Sequence, residues 1–453
     1  MKIIVAGNGK VGETLIEELS AEGHDLTLID VDTEVVEDLV GRYDVMAVTG
    51  NCAALGTLCD AGVESADLLI AATGTDEVNL LSCAAAHAVN PKIHTIARVC
   101  NPEYSTQAYR MRDALGLSLS FNPELEAAEE IEKLLKYPGF LKRDTFAKGR
   151  VEIVELKIEG GSPLADLPVS SLYGTVRCKV LICVVLRDGE AKIPDGRFVL
   201  RAGDRVFFTA STENLAALLK NLGIVSHKVR DVMIVGGGRV TYYLADKLGR
   251  SGIRTKILEK DSDRCLELAK RLPNADIIHG DVAHRTVMEG EGISECDALV
   301  TLTGLDELNM IISLYGKTYG VPQIITKVAR VEDSKILDSL PIGSVISPRK
   351  VCCNAILRYV RAMQNQAGAA ITVHRIADGN AEALEFRVDE HTRNTGVPLK
   401  KLHTRENSLI ACITRAGQIE IPNGDSVLHI GDTVVVVYGG DTPLLDLNDI
   451  FVG

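Results

Sequence analysis

Apolar residues along this chain fall into short runs separated by stretches with helical amphipathic spacing, and the alternation begins at once. Strand patterns are Lys2 to Ala6, Asp25 to Asp30, Val45 to Thr49, Leu68 to Ala72, Ile93 to Val99 and Leu119 to Phe121. Helical patterns start between them at Val11, Glu34, Ala53, Asp76 and Pro102. This order predicts a parallel sheet with right-handed crossovers, a doubly wound Rossmann-type α/β domain. Its switch point is expected at the carboxyl ends of the first and fourth strands.

From Pro123 a helix with Leu125, Ile131, Leu134 and Leu135 on one face runs to Tyr137-Pro138-Gly139, where proline and glycine stop it. The pattern then changes. Val151 to Ile158, Val180 to Arg187, Glu190 to Ile193 and Arg205 to Thr209 read as short alternating strands, with turn signals at Gly160-Gly161, Asp188-Gly189, Asp195-Gly196 and Gly203-Asp204. A helix over Thr212 to Leu222 closes this small β-rich α+β domain. The order then restarts: Val232 to Val235, Thr255 to Leu258, Ala275 to His279, Leu299 to Thr303 and Ile324 to Val328 repeat the strand series. Val351 to Asn365 is the second connecting helix, and Ile371 to Val452 a second β-rich block. A repeat half a chain long is far outside the roughly 20–50 residues of solenoid units. The expected organisation is therefore a duplicated pair: Rossmann domains at 1–122 and 226–346, connecting helices at 123–140 and 347–368, and small β-rich domains at 141–225 and 369–453. A short joint near Gly223 to Lys228 implies halves that pack together.

The candidate chemistry sits at the same place in both halves. Gly7, Gly9 and Gly12 form G-x-G-x-x-G between the first strand and its helix, where backbone N–H groups and the helix dipole suit a pyrophosphate. Asn8, Lys10 and Val11 lie in that loop; Gly236, Gly237, Gly238, Arg239 and Val240 repeat it, with Thr241 in place of the third glycine. Asp30 follows Gly7 by the same interval as Glu259 follows Gly236, where a carboxylate accepts hydrogen bonds from a ribose diol and repels a 2′-phosphate. Asp32 and Asp261 fit as caps of the next helices. After the fourth strand, Thr73-Gly74-Thr75-Asp76-Glu77-Val78-Asn79 is echoed by Thr303-Gly304-Leu305-Asp306-Glu307-Leu308-Asn309. Thr73, Gly74, Thr303 and Gly304 are expected to reach a nucleotide across the switch point, and Asp76 to cap its helix. Asn51 and Cys52, with Asp281 in the second half, occupy the adenine edge. Arg98 ends the fifth strand over the phosphates, and its counterpart is Lys327 by strand alignment or Arg330 by the local Ala-Arg-Val echo.

Composition narrows the function. The 453 residues carry 46% apolar and 25% charged side chains, ordinary globular proportions, and a net charge of −13 that disfavours nucleic acid or an anionic bilayer. No apolar run approaches the ~18 residues of a spanning segment, so no direct membrane insertion is expected. The first strand leaves no room for a signal peptide, and eleven cysteines without C-x-x-C spacing read as reduced, buried and cytoplasmic, with no metal site. The ten histidines are scattered, and no H-x-x-H or S-x-x-x-Y-x-x-x-K spacing supplies catalytic groups. An NAD-dependent oxidoreductase is the alternative reading, since the fingerprint suits it, but the proton-transfer constellation it needs is not evident. A DNA-binding redox repressor lacks a basic recognition helix.

With these motifs in hand, the chain resembles the TrkA family, cytoplasmic regulatory subunits of Trk-type potassium uptake built from two tandem RCK units. The resemblance spans essentially the whole chain in domain order. It implies binding of NAD or NADH, with ATP, ADP or AMP as alternative occupants of one or both sites. It further implies assembly into a ring of RCK domains as a dimer of tandem chains, and peripheral docking on an integral-membrane potassium-translocating subunit at the inner face of the cell membrane. Gating then takes the place of catalysis. Thr241 and Leu305 depart from the first-half pattern, so a weaker or differently occupied second pocket is expected.

Overall fold

A computed structural model describes the chain except residues 137–138, 147–150, 225–227, 330–336, 338–339, 364–369, 441–443, 445 and 453; Lys10, Thr106, Arg285 and Ala362 are described in their backbone only. Tyr137-Pro138, part of the joint near Lys228, Arg330 and the end of the second connecting helix thus lie outside the described residues.

The first sheet holds β1 (Lys2–Ala6), β2 (Asp25–Asp30), β3 (Met46–Thr49), β4 (Leu68–Ala71), β5 (His94–Arg98) and β6 (Leu119–Phe121) in the order β3-β2-β1-β4-β5-β6, all parallel. Helices cover both faces, so β1 is buried from Ile3 to Ala6 and β4 throughout. Strand order reverses between β1 and β4, which puts a crevice at their carboxyl ends.

The first small lobe is an antiparallel sheet of β7 (Lys142–Phe146), β8 (Val151–Lys157), β9 (Leu181–Arg187), β10 (Glu190–Lys192) and β11 (Arg205–Ser211), ordered β10-β9-β11-β8-β7. A second parallel sheet then follows: β12 (Asp231–Val235), β13 (Arg254–Glu259), β14 (Ala275–His279), β15 (Ala298–Thr301), β16 (Gln323–Lys327) and β17 (Ser344–Ile346), ordered β14-β13-β12-β15-β16-β17. The last sheet, β18 (Thr372–Ile376), β19 (Ala381–Arg387), β20 (Ser408–Arg415), β21 (Gln418–Glu420) and β22 (Thr433–Tyr438), has the order β18-β19-β22-β20-β21, the topology of the first small lobe again. Two strands escape the sequence pattern. β17 is only three residues long, and β7 is an edge strand rich in polar and charged residues.

Contacts divide the chain into two compact units that cut across the repeat: Met1–Glu129 with Ser347–Leu357, and Glu130–Ile346 with Arg358–Gly453. In the first unit the second connecting helix (Pro348–Met363) contributes Cys353, whose Sγ lies 3.7 Å from the Val11 carbonyl. In the second unit Gln323 at the start of β16 donates to the carbonyl of Leu134, on the first connecting helix (Pro123–Lys136), at 2.8 Å. Each connecting helix therefore touches the Rossmann lobe of the other half.

Within the second unit the two small lobes meet sheet face to sheet face. Phe146, Ile153, Val184 and Phe207 pack on Ile376, Ala383, Cys412 and Val437. The far face of the first small sheet packs Val154, Leu156 and Phe208 on Leu215 and Leu218 of helix Thr212–Asn221. With both faces covered, β8, β9 and β11 are buried almost end to end, so the alternation read in their sequences marks no solvent-facing side.

The junction also buries charge. Lys142 Nζ donates to the Arg375 carbonyl at 2.9 Å, His374 Nδ1 lies 2.9 Å from Asp144 Oδ1, and the Arg205 guanidinium joins Glu155 to Asp378. Burial works against the Asp144 carboxylate, but Lys142, the His374 hydrogen bond and Arg358 outweigh it and hold the carboxyl well below its ordinary range. Removing one partner of such a cluster strands the others. Arg205→Met should lower the unfolding free energy in urea by about 3–5 kcal/mol, whereas Arg42→Met, at the exposed pair with Glu13, should leave the urea midpoint almost where it was.

Candidate functional site

At the first crevice the chain leaves β1 through Gly7, whose φ of 94° is left-handed. A Cβ there would stand 2.7 Å from Thr73 N, so the glycine turn is pressed against the loop that follows β4. At Gly12 a Cβ would stand 2.0 Å from the Gly7 carbonyl oxygen, which fixes the helix Lys10–Ala21 close under the turn. Gly9 and Gly74 are different. The nearest protein atom to a Cβ at Gly9 is 3.9 Å away, none lies within 4 Å at Gly74, and neither residue has a positive φ. Nothing in the protein's own packing calls for glycine at these two positions; the space they leave faces outward.

Asp30, at the end of β2, bridges this loop to the next. Its Oδ2 accepts from Asn8 N–H at 2.6 Å and its Oδ1 from Asp32 N–H at 3.0 Å. Each oxygen keeps a lone pair, so the carboxylate can still accept from a diol. Asp32 caps the helix Thr33–Arg42 by accepting from Glu34 N–H and Val35 N–H. Asn51 forms a turn after β3, accepting from Ala53 N–H. Cys52 faces the other way: its side chain is buried in the Rossmann core, where Ser82 Oγ donates to Sγ at 3.1 Å, and burial pushes the thiol up. Only its backbone remains for a ligand.

Across the crevice, Asn79 organises the loop. This fully buried amide accepts from Thr73 N–H at 2.8 Å and Thr73 Oγ1 at 2.7 Å, and donates to the carbonyls of Thr73 and Arg98. The sequence pattern contained this residue, yet spacing alone assigned it no task. Asp76 also differs from expectation. It is the first residue of helix Asp76–Val89, one position too late to cap it, and its carboxylate accepts instead from Cys100 N–H and Asn101 N–H, closing the end of β5. Arg98 Nη1 donates to the Thr73 carbonyl at 3.1 Å, while Nη2 lies 3.5 Å from Glu124 in the first turn of the connecting helix.

The second crevice repeats the plan with different side chains. Gly236 has a φ of 95°, and a Cβ there would meet Thr303 N at 2.9 Å. Glu259 accepts from Gly237 N–H and, at 2.8 Å, from Asp261 N–H, and Asp261 caps the helix Ser262–Arg271. Gly238 and Gly304 again have open space about them. Thr303 and Asn309 reproduce the Thr73 and Asn79 hydrogen bonds, and Asn309 reaches the Lys327 carbonyl as Asn79 reaches that of Arg98. This aligns Lys327 with Arg98; Lys327 Nζ lies 3.3 Å from the Leu302 carbonyl. Asp281 accepts from Ala283 N–H as Asn51 does from Ala53. Val11 and Val240 offer the loop only their backbone, Arg239 is exposed, and the Lys10 side chain lies outside the described residues.

Two further residues take part: Thr241, which the motif comparison marks only as a departure, and Arg264, which it misses. Thr241, in place of the third glycine, is buried and donates its hydroxyl to the Gly236 carbonyl. Arg264, with Val35 at the same position of the first half, donates from Nε to the Gly237 carbonyl at 2.6 Å. Among the described residues no group of histidine, cysteine and acidic side chains could hold a metal, and no helix is long and apolar enough to cross a membrane.

The fit of these residues to a dinucleotide rests on three observations: helix N-termini facing each crevice, an acid at each ribose position, and cradle glycines that the protein itself does not require. Residues 3–118 and 232–348 match the TrkA-N domain, and 153–223 match the TrkA-C domain. The chain is 35% identical to the "Trk system potassium uptake protein TrkA homolog" of Archaeoglobus fulgidus, over 96% of this chain and 97% of that one. It is 30% identical to the "Trk system potassium uptake protein TrkA" of Halomonas elongata, over 100% and 98%. The GsuK RCK domain shares the fold with a TM-score of 0.63 at 17% identity, covering 96% of this chain and 92% of that one. The GsuK channel bound to NAD does so with a TM-score of 0.61 at 17% identity, covering 97% and 77%. Two TrkA-N lobes, each followed by a small antiparallel lobe, and full-length identity to TrkA proteins establish that this chain belongs to the TrkA family.

Proposed function

We propose that the chain is a nucleotide-sensing regulatory subunit of a Trk-type potassium transporter, gating its partner through NAD or NADH, or through ATP, ADP or AMP at one or both clefts. The observation that carries this reading is the pair of unneeded glycines at each crevice, Gly9 with Gly74 and Gly238 with Gly304, set beside an acid that already binds the loop. Phosphates would lie on the N–H groups from Gly9 to Val11 and from Gly238 to Val240. A ribose diol would donate to Asp30 or Glu259, and the adenine edge would run along Asn51 or Asp281. A bound dinucleotide supplies charge and shape; the response belongs to the protein.

Arg98 is the residue suited to transmit that response. It holds the Thr73 carbonyl on one side and Glu124 of the connecting helix on the other. A shift of its guanidinium towards phosphate weakens its hold on the helix, and a ligand that favours one arrangement shifts the population by its differential affinity. The partner is an integral-membrane potassium-translocating subunit, engaged from the cytoplasmic face by a ring of RCK lobes built from paired chains. The TrkA names of full-length relatives support that assignment.

Calorimetry of the full chain with NADH or ADP should resolve two binding events, and Asp30→Ala should abolish one; two unchanged events would overturn the placement of the ribose. Arg98→Gln should bind nucleotide yet lose its influence on potassium flux, measured in proteoliposomes carrying the membrane subunit with and without nucleotide. Steady NADH turnover with a small substrate would instead favour the oxidoreductase.

A further inference from the structure

The two clefts differ in how firmly their glycine loops are held. In the second loop three side chains bind backbone. Glu259 accepts from Gly237 N–H, Arg264 Nε donates to the Gly237 carbonyl at 2.6 Å, and Thr241 donates to the Gly236 carbonyl. In the first loop, among the described residues, Asp30 on Asn8 N–H is the one equivalent contact, since Val35 stands where Arg264 does and Gly12 where Thr241 does. The first loop also carries an incomplete group: Asn8 Oδ1 is buried without a hydrogen-bond partner among the described residues.

Peptide planarity turns this into a statement about binding. The Gly237 carbonyl and the Gly238 N–H share one trans peptide and point in opposite directions. Holding the carbonyl on Arg264 therefore aims the N–H away from Arg264, as a donor already set for an anion. Arg264 is itself anchored by Glu267 through Nη1, so the clamp does not depend on a free side chain. Among the described residues no side chain holds the Asn8 carbonyl in the same way.

We infer that the clefts are unequal in kind: the second is a preformed anchor for an adenine nucleotide, and the first is the adjustable sensor whose loop orders on binding. This rests on the nucleotide-binding reading above, and it reverses the sequence-based expectation that Thr241 weakens the second pocket. Arg264 is a positioning residue, acting on the phosphate through the Gly237–Gly238 peptide. The ordering cost is met before binding at the second loop and during binding at the first, so affinity falls at the first and conformational response is concentrated there.

The test uses full-length chains with one cleft disabled. Asp30→Ala leaves the second cleft and Glu259→Ala leaves the first. Calorimetry with ADP should find the Asp30→Ala chain binding about tenfold tighter or more, as preorganisation requires. Adding Arg264→Met to it should erase that advantage, and Arg264→Lys, which keeps one donor, should restore part of it. Backbone 15N order parameters of the unliganded native chain give a readout free of mutation: Gly237 to Val240 should be rigid, and Asn8 to Val11 should become so only with ADP. Equal affinities, an inert Arg264→Met, or loops equally ordered without ligand would each overturn the inequality while leaving nucleotide binding intact. Failure of both single-cleft chains, and of the native chain, to bind ADP or NADH would remove the nucleotide reading itself and this inference with it.

Discussion

Each cleft depends on one buried amide. Asn79 and Asn309 are wholly shielded from solvent, and each meets its hydrogen-bonding needs within the protein: two donors from the threonine after the fourth strand, and two carbonyls, one from that threonine and one from the end of the fifth strand. A buried amide with every group paired has no competing arrangement of similar energy. The threonine backbone is thereby held in place, and the glycine turn closes against it at distances that admit no Cβ. The parallel sheet brings the two loops together at its switch point; the asparagine decides how closely they meet.

The small lobes follow a different logic. Their sheets share one topology and pack face to face through an apolar surface that both halves supply. At the centre of the edge strands, equivalent positions hold Asp144 and His374, and these meet each other. A pairing of either lobe with its own copy would set Asp144 against Asp144, or His374 against His374. Divergence of one residue in each copy therefore favours the pairing between unlike lobes, reinforced by Arg205 between Glu155 and Asp378.

The same divergence separates the two crevices. Both retain the acid, the threonine and the asparagine, with matching hydrogen bonds to the loops. The residues that changed, Val35 to Arg264 and Gly12 to Thr241, sit beneath and beside the loop and act on its backbone. Duplication thus leaves the frame of the two crevices common and varies the side chains that hold the glycine loop.

Much of this was legible in the chain itself. The period of the apolar positions announced two doubly wound sheets, and the glycine spacing and the acids at Asp30 and Glu259 marked the crevices, because these features are written in contiguous residues or at fixed intervals within one βαβ unit. The tertiary structure alone decided the rest. Strand alternation in the small lobes marks no solvent-facing side because a second sheet covers one of the two faces. Asp76 does not cap its own helix because the unpaired N–H groups it meets belong to a loop more than twenty residues away. Arg264 joins a glycine loop that precedes it by a whole strand. Each of these hydrogen bonds and contacts forms between segments distant in the chain, and local propensity carries no record of which distant group will arrive.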